Sequence, residues 1–205
     1  MITPQMRELL LQSLEHEKGG VLIYRTALEC AVNEELREEW QKYLEQTEKH
    51  VSVLAGVCTA LGIDPGEMTP GCKVVHHNGQ ALVIAMKMAI AAGDPAAAEI
   101  VACECVVLAE TKDHANWQLI GECAKSLDAD EAAVLQGAYD QVEDEEDEHL
   151  YHTKGWCREL WLQSLGLNAV LPPPEEEKDI KSAAEAAKVQ AQRKAGRSGK
   201  EAKLS

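Results

Sequence analysis

The sequence predicts an all-α fold of four long helices paired as two hairpins, and three observations carry that expectation. The 205-residue chain leans on Ala, Leu, Glu, Gln and Lys, has no Phe, and keeps β-branched runs such as Val74-Val75 short. Helix-start signals, Thr3-Pro4 and Asp94-Pro95, and stop glycines at Gly62 and Gly166 cut it into long periodic segments. An internal repeat relates the first two long helices to the last two.

Thr3 as N-cap and Pro4 at the first helical position open the first long helix, which runs to about Ala31. Asn33 can cap the second, which continues through Trp40, Leu44, His50 and Leu54 to Leu61, where Gly62 stops it. Residues 62–77, with Pro65, Gly66, Pro70 and Gly71, read as loop, and Asn78 to Ala92 as a short Ala/Met-rich helix. Asp94 and Pro95 open the third long helix, expected to reach about Leu127, and the fourth runs from about Asp130 to Leu165. Two short connections and one long crossover holding a short helix are the ferritin-like way of joining two hairpins. Residues 1–171 are thus expected to form a four-helix bundle. After Pro172-Pro173-Pro174 and Glu175-Glu176-Glu177 comes a Lys/Ala/Gln/Gly/Ser segment with too little apolar surface to offset its ordering entropy, so 172–205 reads as a disordered tail.

The net charge of −15 is uneven: residues 178–205 hold eight Lys/Arg against three Asp/Glu, leaving −20 on the body. Such a body does not seek nucleic acid or an anionic membrane. The first residues lack a basic stretch followed by an apolar one, and no segment approaches ~18 uncharged apolar residues, so a soluble, cytoplasmic protein is expected. Seven cysteines without a C-x-x-C pair suit packed, reduced thiols. No Gly-rich phosphate loop or Ser-His-Asp order is present, Gly19-Gly20 reads as a close helix-packing point, and Trp156 and Trp161 read as core or dimer contacts.

The repeat frames a candidate site. Glu17, Tyr24 and Glu29-Cys30-Ala31 recur as Glu110, Trp117 and Glu122-Cys123-Ala124, all at an offset of 93 residues. Pairing His50 with His149 needs only a six-residue difference in the connections. In the fourth long helix the apolar seam of Leu135, Tyr139, Val142, Trp156 and Leu160 passes through Glu146 and His149. Residues three apart share a face, so Glu146-x-x-His149 offers an oxygen and an imidazole to one metal pair, and a Glu from each of two other helices, Glu17 and Glu110, completes such a site. Several carboxylates converging in a core make sense chiefly around cations, because an unpaired buried carboxylate protonates or destabilises the fold. Thr47 stands where the second helix should match Glu146, three residues before His50. One bridging carboxylate is therefore missing unless Glu45 bends in; Asp113 and His114 are the nearest extra ligands, and His114 reads equally well as a surface histidine.

Over roughly residues 7–165 the chain resembles the YciF-type stress-protein family of the ferritin-like superfamily. Glu17-Lys18, the run Tyr43-Leu44-Glu45-Gln46-Thr47-Glu48-Lys49-His50-Val51 with Leu61-Gly62 after it, Gly93-Asp94-Pro95 and Ala124-Lys125-Ser126-Leu127 carry the likeness, and the Glu17-to-His50 distance agrees without gaps. The resemblance implies a homodimeric di-iron bundle associated with bacterial stress responses, with no settled reaction. The metal chemistry itself suggests a non-haem di-iron protein, manganese or zinc as substitutes, that reacts with oxygen or peroxide. The resemblance also implies a carboxylate at Gln46 and favours Glu145 over Glu146, whereas periodicity favours Glu146. The alternative is a helical structural or interaction protein whose site has decayed to one metal or none.

Overall fold

A computed structural model describes residues 1–174 and 176 of the chain, and among them the ordered elements are all helical. Helix α1 spans Pro4–Cys30, α2 Glu34–Ala60, α3 Pro70–Ala92, α4 Pro95–Ala124 and α5 Ala129–Ser164. No helix among the described residues is long and apolar enough to cross a membrane.

The starts of α1 and α4 follow the expected chemistry. Thr3 accepts from the Met6 N–H at 3.2 Å and Asp94 from the Ala97 N–H at 3.1 Å, each followed by a proline whose missing N–H costs nothing there. The same signal stands at Thr69-Pro70, within the expected loop of residues 62–77. Thr69 accepts from the Cys72 N–H at 3.1 Å, and α3 begins at Pro70 rather than Asn78. Gly71 lies in this first turn, and a Cβ there would make the ends of the Gln12 and Glu8 side chains of α1 swing aside. Further along, Gly19 and Gly79 bring α1 and α3 together, a Cβ on Gly79 meeting the Gly19 Cα at 3.7 Å. Helix α4 ends at Ala124, short of Leu127.

Asn33 has the backbone angles of an N-cap but makes no side-chain cap bond. Its amide donates instead to Glu99 Oε2 at 2.6 Å, while Glu99 Oε1 accepts from the backbone N–H groups of Val32 and Asn33 at 2.6 and 2.7 Å. A buried carboxylate on α4 thereby holds the α1–α2 connection. Glu99→Ala should cost roughly 2–3 kcal/mol, since it strands those donors. Urea unfolding would show it, and a midpoint unchanged from the parent would contradict this role.

Helix α1 packs on α2, α3 and α4; α5 packs on α4 and α2; α3 packs on α1 and α4. The interior holds two apolar clusters. One gathers Leu10, Leu14, Leu54, Val57, Trp117, Ile120, Leu135 and Val142, and the other Ile23, Tyr24, Trp40, Tyr43, Val106, Trp156 and Leu160. On α1, α2, α4 and α5 respectively, Glu17, Thr47 with His50, Glu110 with Asp113, and Glu146 with His149 are buried between a stretch belonging to one cluster and a stretch belonging to the other. Trp156 lies in the core and Trp161 is 42% exposed, so of the core-or-dimer expectation the core role falls to Trp156 alone.

Past the boundary expected at residue 171 the chain still touches the body. Pro173, Pro174 and Glu176 are buried, and Arg158 of α5 donates to Glu176 at 2.5 and 3.3 Å. The rest of the expected tail, residues 175 and 177–205, lies outside the described residues.

Candidate metal centre

Between the two apolar clusters seven buried side chains converge in a polar layer: Glu17 of α1, Thr47 and His50 of α2, Glu110 and Asp113 of α4, and Glu146 and His149 of α5. Five of these were expected at a metal site from the repeat and the apolar seam. His50 Nδ1 lies 3.0 Å from Glu146 Oε1 and 3.7 Å from Glu17 Oε1. His149 Nδ1 lies 3.7 Å from both Glu110 Oε2 and Glu146 Oε1. Two three-residue groups result, Glu17–His50–Glu146 and Glu110–Glu146–His149, the ligand atoms of each lying within 4.8 Å of one another. Glu146 belongs to both.

The outer nitrogens of the two histidines are held by residues that repeat as the histidines do. His50 Nε2 lies 2.7 Å from Glu145 Oε2, and His149 Nε2 lies 3.0 Å from Gln46 Oε1. Gln46 is to His149 as Glu145 is to His50, each acceptor four residues before the other histidine. Both acceptors fix the Nε2–H tautomer, which leaves the Nδ1 lone pairs facing the carboxylates, as metal-binding imidazoles require. Glu145 and Gln46 therefore orient the histidines and do not enter the ligand groups. Trp117 Nε1 donates to Glu17 Oε1 at 2.8 Å. Its repeat mate Tyr24 faces Glu110 and acts to lower that carboxyl's pKa, although its hydroxyl closes no hydrogen bond of normal geometry.

Two sequence candidates stand outside the layer. Glu45 is exposed and accepts from Gln41 at 3.2 Å, because one helical step from Gln46 turns it to solvent; it does not bend in to replace the missing carboxylate. His114 lies outside as well, its Nδ1 3.1 Å from Asp147 and its Nε2 2.8 Å from the Gln118 amide. Asp113, by contrast, is 4% exposed and its Oδ1 has no partner. Its position in the first half, by the 93-residue offset, is Gly20, where a Cβ would meet Thr47 Cγ2 at 3.2 Å. Gly20 and Thr47 thus stand in one half where Asp113 and Glu146 stand in the other. Applying the repeat offset to Asp113 would have found this asymmetry in the sequence; the roles of Gln46 and Trp117 had no such signal.

Electrostatics make the layer unusual. Burial, reinforced by Asp113, pushes the Glu17 and Glu146 carboxyls well above the ordinary range; burial raises Glu110 to about 7 and raises Asp113 as well. Burial also lowers His50 and His149 to about 4. Each of these shifts favours the uncharged form, so without a cation the layer favours protons on its acids and none on its imidazoles. Six of its atoms are buried without a hydrogen-bond partner: Glu17 Oε2, His50 Nδ1, Glu110 Oε2, Asp113 Oδ1, Glu146 Oε2 and His149 Nδ1. Such concentration in one place runs against the rule that buried polar groups are paired, and a divalent cation fits the donor set.

The pH dependence of the metal-free protein follows. Carboxyls raised in the folded state contribute stability below the ordinary carboxylate value that is lost as pH rises through the folded value, about 7 for Glu110. Histidines lowered to about 4 contribute stability above 6.5 that is lost only as pH falls. Above pH 6.5 the carboxyl effect alone remains. The Tm of chelator-treated protein should therefore drop by about 4 °C or more between pH 6.5 and 8, and a divalent metal should flatten that slope. Calorimetry at both pH values checks it, and a rising Tm would contradict the protonated layer.

No protein-family model matches the chain, and neither a curated protein nor a solved structure matches it.

Proposed function

We propose that the chain is a ferritin-like four-helix metalloprotein that holds two divalent cations, iron foremost with manganese or zinc as substitutes, and presents them to oxygen or peroxide. The observation that carries the reading is the set of six partnerless atoms, drawn from four helices into one layer. Glu17 and His50 would hold one ion, Glu110 and His149 the other, and Glu146 would serve both. The helix pairings support a bundle of α1, α2, α4 and α5 with α3 as the crossover. The YciF-type likeness adds a homodimer and a stress-response role to the proposal.

Bound ferrous ions would supply electrons to the oxidant and polarise its oxygen. The chain's residues do the rest. Glu145 and Gln46 keep the imidazole lone pairs turned inward, Trp117 orients Glu17, and the apolar clusters exclude water on both sides of the layer. The protons held by the buried acids leave as cations enter, so loading releases acid.

A second reading, a helical structural or interaction protein with a degenerate site, draws on Thr47, which fills a carboxylate position with a hydroxyl committed to the Tyr43 carbonyl at 2.9 Å. Elemental analysis of protein saturated anaerobically with Fe²⁺ and freed of excess separates the two. The metalloprotein reading expects up to about two ions per chain and a Tm that drops on chelation. Protein that binds no metal and melts identically with and without chelator would leave the structural reading.

A further inference from the structure

Apolar clusters close the polar layer above and below, so an ion must reach it sideways, between helices. Between α4 and α5 the surface opens into a recess of about 150 Å³, lined by Trp117, Tyr139, His114, Glu143, Asp147 and, among them, Glu146. Glu146 is 1% exposed, and its Oε2 has no partner. The residue shared by both ligand groups is therefore part of the recess wall. Two larger recesses, one beside Leu160 and Trp161 and one between α1, α3 and α4, include no residue of either ligand group.

The side chains around Glu146 are suited to passing a cation inward. Glu143 and Asp147 are one helical turn apart on α5, and Glu146 lies three residues beyond Glu143, so all three share a face. Glu143 accepts from the Tyr139 hydroxyl and is exposed at the outside. Asp147 lies 3.1 Å from His114 Nδ1, while the Gln118 amide sits on His114 Nε2; a neutral His114 that donates to Asp147 and accepts from Gln118 satisfies both contacts. Each acid thus retains oxygen lone pairs beyond those its neighbour uses. The recess has room for a cation with several of its waters, at about 30 Å³ each, and negative side chains in a concave wall concentrate cations there.

We infer that the α4/α5 recess is the entry route by which a divalent cation reaches Glu146, with Glu143 and Asp147 as transient oxygen ligands along it. The inference rests on the metal-centre reading above. A group that contacts the ion only in transit lowers the barrier in both directions, so its loss slows uptake and release alike and leaves the amount bound unchanged. A resident ligand behaves differently, since its loss lowers the amount bound.

The test uses the full chain, stripped with chelator, and Co²⁺ alone as the probe, its visible absorption followed by stopped flow. The double variant Glu143→Gln/Asp147→Asn is compared with Asp144→Asn, an exposed neighbour that does not line the recess. The double variant should take up Co²⁺ about fivefold more slowly or worse, release it to EDTA more slowly by a similar factor, and reach the parental end point; Asp144→Asn should stay within about twofold of the parent. Uptake by the double variant at the parental rate would overturn the route while leaving the metal centre standing. Equal slowing in Asp144→Asn would assign the effect to general surface charge and overturn it too. A lowered end point would make Glu143 or Asp147 a resident ligand, against the inference. Parent protein that takes up no Co²⁺ would remove the centre and the route together.

Discussion

Glu146→Gln should empty both metal positions at once, because Glu146 is the one carboxylate shared by the two ligand groups. Glu17→Gln or Glu110→Gln should each remove about one ion at saturating metal, whereas Glu146→Gln should leave less than about half an ion per chain. The same substitution should raise the stability of the metal-free protein. Burial forces Glu146 to keep a proton far above the ordinary carboxylate range, and a neutral amide of similar shape needs none. A Tm gain of roughly 2–5 °C at pH 8, shrinking as pH falls and vanishing below the ordinary carboxylate value where the unfolded acid is protonated too, is the expected signature. Metal analysis and calorimetry on the three variants read both effects. If Glu146→Gln loses no more metal than Glu17→Gln, the two groups do not share a ligand.

The helical class and the convergence of Glu17, His50, Glu110, Glu146 and His149 were legible because both follow from periodicity. The 93-residue repeat set α1 against α4, and the α5 seam selected Glu146. What stayed hidden depends on side-chain reach across helices, on which periodicity is silent. Asn33 was expected to cap α2, but its amide went to Glu99, 66 residues away. The start of α3 differs from the expected loop for another reason: Pro70-Gly71 reads as a turn pair, although a proline after a threonine opens a helix as readily as it ends one. Asp113 and His114 could not be separated by adjacency alone. Glu17, His50 and His149, buried on three other helices, face Asp113, and Asp147 holds His114 at the rim.

The disagreement over register in α2 has a structural form that mutation can test. Thr47 is 2% exposed in the polar layer beside Gly20, while Gln46 accepts from His149. A carboxylate at 47 would add a ligand on the His50 side, one turn from it on the same face. At 46 it would only exchange the amide behind His149 for a charged acceptor, as Glu145 already provides behind His50. If the proposed ion on the His50 side is the weaker for want of a carboxylate at 47, Thr47→Glu should convert it into one that survives gel filtration. The metal-free form of this variant should lose about 2–4 kcal/mol from the added buried acid, so the Tm difference between metal-loaded and stripped protein should widen by about 5 °C or more. Gln46→Glu should change metal affinity and its pH dependence without changing the number of ions. If Gln46→Glu alone gains an ion, the ligand seam of α2 runs through residue 46, and the likeness to the YciF-type pattern locates it better than periodicity does. If neither variant gains and the parent binds nothing, Thr47 marks a site given over to packing, and the buried acids are neutral members of a hydrogen-bonded core.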